Sequence, residues 1–159
     1  MTIRSGPSQA RRAIDEGAVI VNDVSALRLD PAMAGICACA GTTVILMHLR
    51  GEPRTMQEAP HYRDAAADVR GELLAAAAAA LAAGIAADRL LLDPGIGFGK
   101  TVEHNFEILR ALPALCAAGY PILIGASRKS LIGRVLDSPV EDRVEGSLAI
   151  AVAAVLAGA

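Results

Sequence analysis

The stretch LLLDPGIGFGK, Leu90 to Lys100, decides how this 159-residue chain folds. Three leucines with no polar residue among them suit a strand covered on both faces. The run stops at Asp93, followed by Pro94 and by Gly95, Gly97 and Gly99 in alternate positions. In a βα protein, the end of a strand is where a carboxylate is aimed into a ligand site. Three further apolar runs end in the same manner. AVIVNDVS (Ala18 to Ser25) carries Asn22-Asp23, TTVILMHLRG (Thr42 to Gly51) carries Met47-His48, and YPILIGAS (Tyr120 to Ser127) runs into Ser127-Arg128-Lys129-Ser130. Polar clusters spaced one βα unit apart point to one composite site where parallel strands finish, and so to an enzyme.

Between the runs the pattern predicts helices over Pro7 to Gly17, Pro31 to Gly41, Asp64 to Ala83 (ended by Gly84), Val102 to Ala118 (closed by Gly119), Arg128 to Leu136 and Pro139 to Leu156. Met1 to Arg4 is a weak fifth strand. The connection GEPRTMQEAPHYRD, punctuated by Pro53 and Pro60, is longer than βα loops usually are, which marks it as functional. Alternating β and α at this pitch gives parallel strands with helical crossovers. An open doubly wound sheet and a (β/α)8 barrel both satisfy that order. A barrel needs eight strands and about 250 residues, so residues 1–159 read as a single, incomplete barrel domain of four to five strands.

Composition narrows the function classes. A 53% hydrophobic chain with mean hydropathy +0.43 has enough apolar material for a real core. Net charge −2 and 3% aromatics offer neither a basic surface nor rings for stacking bases, which argues against nucleic acid as a partner. Cys37, Cys39 and Cys116 lack a second pair at zinc spacing and read as reduced, packing thiols. The Ala-rich stretches around Ala75 to Gly84 and at the end of the chain are too short to span a bilayer, which takes about 20 residues, and so predict no membrane partner. The polar opening MTIRSGPSQARR contains no signal-peptide core, which fits the cytoplasm.

The glycine-rich turn resembles two phosphate-binding motifs by eye and matches neither. Gly99-Lys100-Thr101 has the end of GxxxxGK[ST], but the first glycine would fall on Pro94, and Asp93 would repel the anion. In GxGxxG the third glycine would be position 100, which is lysine. Asp93, Asn22 and Lys129 suit different chemistry. A carboxylate accepts two parallel N–H bonds from an aminopyrimidine edge, an amide donates and accepts beside it, and an ammonium faces a ring carbonyl or a leaving anion. Met47 and Phe98 supply flat apolar walls. A planar, guanidine-like heterocycle such as a pterin or guanine fits that set. Singly, each residue also suits a plainer role: Asp93 as a turn cap, Arg128 and Lys129 as solvated helix-start residues. His48 reads as a structural hydrogen bonder, because no acidic partner is close in sequence. Ser127 lacks the GxSxG setting of a hydrolase nucleophile.

VNDVSA, MHLRGEPRTMQ, LLLDPGIGFGKTVEHN and PILIGASRKSLIG, in that order, resemble the successive strand-end motifs of the dihydropteroate synthase family, the folate-pathway enzymes inhibited by sulfonamides. The likeness runs from about Ala10 to Gly158. It implies a (β/α)8 barrel and a transferase that joins 6-hydroxymethyl-7,8-dihydropterin diphosphate to para-aminobenzoate, releasing pyrophosphate with help from Mg2+. It further implies that Asn22 and Asp93 hydrogen-bond the pterin's pyrimidine edge and that Lys129 reaches the ring oxygen and nitrogen. Met47, Phe98 and Gly125 would line the pterin slot, and Ser130 with Lys129 would approach the aminobenzoate carboxylate. Asp93 and Lys129 would be catalytic by stabilising a cation-like carbon as pyrophosphate departs, with no covalent enzyme intermediate.

The departures from the family pattern lie at both ends. The first two strands, with a magnesium-binding asparagine, and the last, with an Arg-x-His pyrophosphate element, have no counterpart in these residues. Arg4 and Ser5 stand where the family's third strand has Asp-Thr. The expectation is therefore an incomplete, weakly active or inactive fragment with no metal ligand of its own, and a homodimer if the dimer helices are kept. A non-catalytic pterin- or methyltetrahydrofolate-binding module is the alternative, and a P-loop-like nucleotide binder a second one.

Overall fold

Every strand pairs in parallel with the one before it. In the computed structural model, which describes residues 2–3 and 7–159, the strands are β1 (Thr2–Ile3), β2 (Ile20–Asp23), β3 (Thr43–Met47) and β4 (Leu90–Asp93), in sheet order β1-β2-β3-β4. A doubly wound sheet reverses direction at a switch point, whereas an unbroken sequential order is the arc of a barrel. The helices are α1 (Pro7–Asp15), α2 (Ala32–Ala40), α3 (Ala65–Ala82), α4 (Val102–Arg110), α5 (Leu112–Cys116), α6 (Ser130–Leu136) and α7 (Val144–Leu156).

Period-two alternation sorts the strand residues onto two faces. Val21, Val44, Leu46, Leu90 and Leu92 join the core that α3 closes with Val69, Leu73, Ala77 and Ala80. The in-register partners Asn22 and Ile45, and then Met47 and Asp93, therefore look out from the opposite, concave face. Asp64 caps α3 by accepting from the Ala67 amide at 2.9 Å, and Gly41 ends α2 in the left-handed conformation at φ 63°.

The structure revises four expectations. Tyr120 to Ser127 is not a full strand: a single parallel bridge joins Ile122 to Leu92, where the Leu123 amide donates to Leu92 O at 2.9 Å. Val102 to Ala118 is two helices, broken at Ala111 because Pro113 begins a new turn and has no N–H to continue the old one. The helices expected from Arg128 and Pro139 begin at Ser130 and, after a 3-10 turn at Val140–Asp142, at Val144. Cys37 is buried as expected, but Cys39 is exposed; all three thiols are free. The weak first strand appears as Thr2–Ile3, while Arg4 and Ser5 lie outside the described residues. Among the described residues no helix is long and apolar enough to cross a membrane.

Candidate functional site

The concave face ends in the residues singled out by the sequence. Met47 and Asp93 are register partners on β3 and β4, both almost fully buried. Asn22, two strands away, pairs with Ile45 on the same face. Gly125 faces the Lys129 side chain, where a Cβ would stand 3.8 Å from the ammonium. Lys129 completes the group: its ammonium lies 4.5 Å from the centroid of the Phe98 ring, and its chain passes 3.6 Å from where a Cβ on Gly97 would stand. Ser130, exposed, opens α6 immediately after Lys129.

The turn after β4 is locked from inside. The Gly95 amide donates to Asp93 Oδ1 at 2.7 Å, and the Gly97 amide to Asn105 Oδ1 at 2.7 Å. The Lys100 side chain folds back beneath the turn, where its ammonium donates to Gly95 O at 3.0 Å and Phe98 O at 2.8 Å and meets His48 Nδ1 at 2.9 Å. Two glycines are required here by contact with β3 and the residues after it. A Cβ on Gly95 would stand 2.0 Å from His48 O, and one on Gly99 would stand 2.4 Å from Arg50 O. The long loop after β3 covers the outside, with the Gln57 amide donating to Gly97 O and the Tyr62 hydroxyl to Gly99 O at 2.9 Å. This arrangement does not suit a P-loop: Lys100 and the Gly95 and Gly97 amides are already engaged within the turn.

Behind the turn runs a network that local sequence could not reveal. His48 Nε2 is 3.0 Å from Glu72 Oε2, Glu72 also accepts from Arg50, and Arg50 reaches Asp68 at 3.2 Å and stacks over Tyr62. With Nε2–H donated to Glu72, His48 Nδ1 is the acceptor for Lys100. His48 is thus a structural hydrogen bonder with an acidic partner 24 residues away, on α3.

Burial dominates the electrostatics. It lowers His48 to about 4, helped by the neighbouring Lys100, and lowers Lys100 to about 7 against the pull of Asp93. Burial also raises the Asp93 carboxyl, opposed by the Gly95 amide and by the Lys129 and Lys100 ammoniums. It depresses Lys129, with Asp93 again opposing. Asp93 and Lys129 therefore feel each other's charge, as a shared ligand site requires.

A cavity of about 410 Å³ opens on the other side of β3, between α2 and α3, with Ala34, Leu73, Ala76 and Ala80 in its walls and the already paired His48 and Glu72 in its lining. On the strand-end face, among the described residues, Asn22 Oδ1 is buried and lacks such pairing.

The family described as pterin binding enzyme matches residues 5–159. The dihydropteroate synthase of Mycobacterium leprae is 48% identical over 157 residues, covering 94% of this chain and 55% of that protein. The Yersinia pestis dihydropteroate synthase, solved with a sulfonamide drug complex, superposes with a TM-score of 0.93 at 38% identity, over 99% of this chain and 57% of that one. The Thermus thermophilus dihydropteroate synthase has been solved in complex with 6HMPPP (TM-score 0.92) and with 4-aminobenzoate (TM-score 0.93). Both are 40% identical and cover 99% of this chain, and 62% and 60% of theirs. The chain thus spans somewhat more than half the length of these relatives, and with its sequential parallel sheet and strand-end site it belongs to the pterin-binding enzyme family.

Proposed function

We propose that this chain carries the pterin-recognising part of a dihydropteroate synthase site, serving the condensation of 6-hydroxymethyl-7,8-dihydropterin diphosphate with para-aminobenzoate. One observation carries the reading. Among the described residues Asn22 Oδ1 is buried without a hydrogen-bond partner, on the same face as Met47 and Asp93. Such an acceptor costs about 1–3 kcal/mol until a donor arrives, and a heterocycle N–H between Asn22 and Asp93 would supply one. Asp93 would accept the two N–H bonds of the pyrimidine edge, which offsets the burial that raises its carboxyl. Lys129 would reach the ring oxygen and nitrogen, with Met47, Phe98 and Gly125 as walls. Ser130, beside Lys129, would meet the aminobenzoate carboxylate. In the reaction Asp93 and Lys129 would act by position and charge on a cation-like carbon next to the ring.

Magnesium, which the family resemblance implies, does not fit the donors on this face. Among the described residues no three His, Cys, Asp or Glu side chains group as metal ligands, and Asp93 already accepts from Gly95 and feels the Lys129 and Lys100 charges. For a homodimer, α7 offers an exposed apolar face, Val144, Leu148, Val152 and Val155. The decisive experiment is titration calorimetry of the folded chain with the pterin diphosphate and, separately, with ATP. Saturable binding of the pterin alone, weakened roughly a hundredfold by Asp93→Asn, is the expected result. A folded chain that takes up no pterin overturns the proposal.

A further inference from the structure

Lys129 stands at the end of a segment that the sheet hardly holds. After the single bridge at Ile122 no strand is formed among the described residues, and Arg128 then adopts φ 50°, a left-handed conformation that costs a non-glycine residue about 1 kcal/mol. Something else must fix the turn, and the contacts come from α7 and the residue preceding it. Ser147 Oγ accepts from the Arg128 amide at 2.9 Å and donates its own proton to Arg143 O at 2.5 Å. The Arg143 guanidinium donates to Arg128 O at 3.3 Å and to Ser138 O at 3.2 and 3.1 Å. Both polar groups of the Arg128 backbone are therefore held from one place. Arg143 fits there because of Gly133 on α6: a Cβ at that position would stand 2.1 Å from a guanidinium nitrogen. The two helices come close enough through Gly146, whose absent Cβ would stand 2.4 Å from Ile132 Cγ2.

We propose that Ser147 and Arg143 are positioning residues that clamp the Arg128 peptide and so hold the Lys129 ammonium over Phe98, within reach of Asp93. The proposal rests on the pterin-site reading for its purpose, but not for its geometry. A tie that merely joins two helices would alter stability and leave Lys129 as it is. The clamp instead predicts that loosening it returns Lys129 to solvent.

The test is an NMR titration of the Lys129 side chain in the ligand-free protein, for wild type, Ser147→Ala and Ser147→Thr, paired with pterin diphosphate affinity by calorimetry. In wild type Lys129 should titrate below its ordinary value, as its burial directs. Ser147→Ala should move that titration toward the ordinary lysine value and weaken pterin binding about tenfold, the size of one lost hydrogen bond. Ser147→Thr, which keeps the hydroxyl, should restore both. An unmoved Lys129 titration in folded Ser147→Ala overturns the clamp. If that variant does not fold, Gly133→Ala, which displaces the Arg143 head group while favouring the helix, decides by the same shift or its absence. If wild type binds no pterin, the functional reading fails while the Lys129 titration still decides the clamp.

Discussion

The turn after β4 and the turn before α6 each present one charged residue to the same face, and they are built in opposite ways. Asp93 ends a laddered strand, and its turn is held from within by a buried lysine and by two glycines pressed against the backbone of His48 and Arg50. Lys129 follows a segment with one bridge to the sheet and is held from outside by side-chain contacts to Arg128. The lesson is that the carboxylate is placed by the core itself, whereas the ammonium is placed by an adjustable brace. Substitutions in the first turn should act on folding, and those in the second on ligand geometry.

The hardest blow to that contrast comes from glycine substitutions. Gly95→Ala, at φ 65° with its new carbon 2.0 Å from a carbonyl oxygen, should destabilise the protein by about 3 kcal/mol or more in a denaturant titration. Gly125→Ala, where the new carbon would stand 3.8 Å from the Lys129 side chain, should change stability by less than about 0.5 kcal/mol. Comparable losses at both positions would erase the distinction between the turns.

Next in size is the ligand effect. Asp93→Asn keeps the shape but turns one acceptor into a donor, and calorimetry should show roughly a hundredfold loss of pterin affinity, against roughly tenfold for Lys129→Met. An equal or reversed ranking would mean that the braced residue, and not the core-held one, anchors the ring.

The buried network behind the first turn should be visible in the pH dependence of stability. Lys100 titrates near 7 when folded and near 10.5 when unfolded, so between those values the unfolded chain binds more protons and stability rises with pH, by about 1 kcal/mol per unit. Lys100→Met should abolish that rise in denaturation curves recorded from pH 7 to 10. It should also cost about 2 kcal/mol near neutrality by leaving the Gly95 and Phe98 carbonyls without a donor.

A smaller effect belongs to His48. It is about 4 when folded and 6.5 when unfolded, so its neutral burial is undisturbed above pH 6.5, and stability falls as pH drops from there toward 4. The wild-type melting temperature should decline through that window more steeply than that of His48→Gln. Parallel curves would show that the histidine titrates alike in the folded and unfolded chain.

Much of this architecture was legible in the sequence because its punctuation is strong. Gly41, Gly84 and Asp64 close or open helices where they stand, and β-branched, unbroken runs mark the buried strands. The strand-end residues were legible for the same reason, since Asn22, Met47 and Asp93 fall on one face once parallel register is granted. The break at Ala111 is marked in the sequence too, by Pro113, which the hydrophobic pattern runs across. The missing ladder at Tyr120 to Ser127 was not, because an apolar run records burial and not how many neighbours a strand has. Nor were the partners of His48 and of Arg128. Glu72 lies 24 residues from one and Ser147 19 residues from the other, and only the crossovers bring them together.

The sequential order of the sheet also has a consequence for synthesis. Each strand finds its neighbour in the βα unit made just before it, so a nascent chain can add one unit at a time to an arc already formed, without waiting for distant segments. Emergence from the ribosome and assembly of the arc then run in the same direction, and Lys100, by reaching back to His48, fastens the turn after β4 to the end of β3.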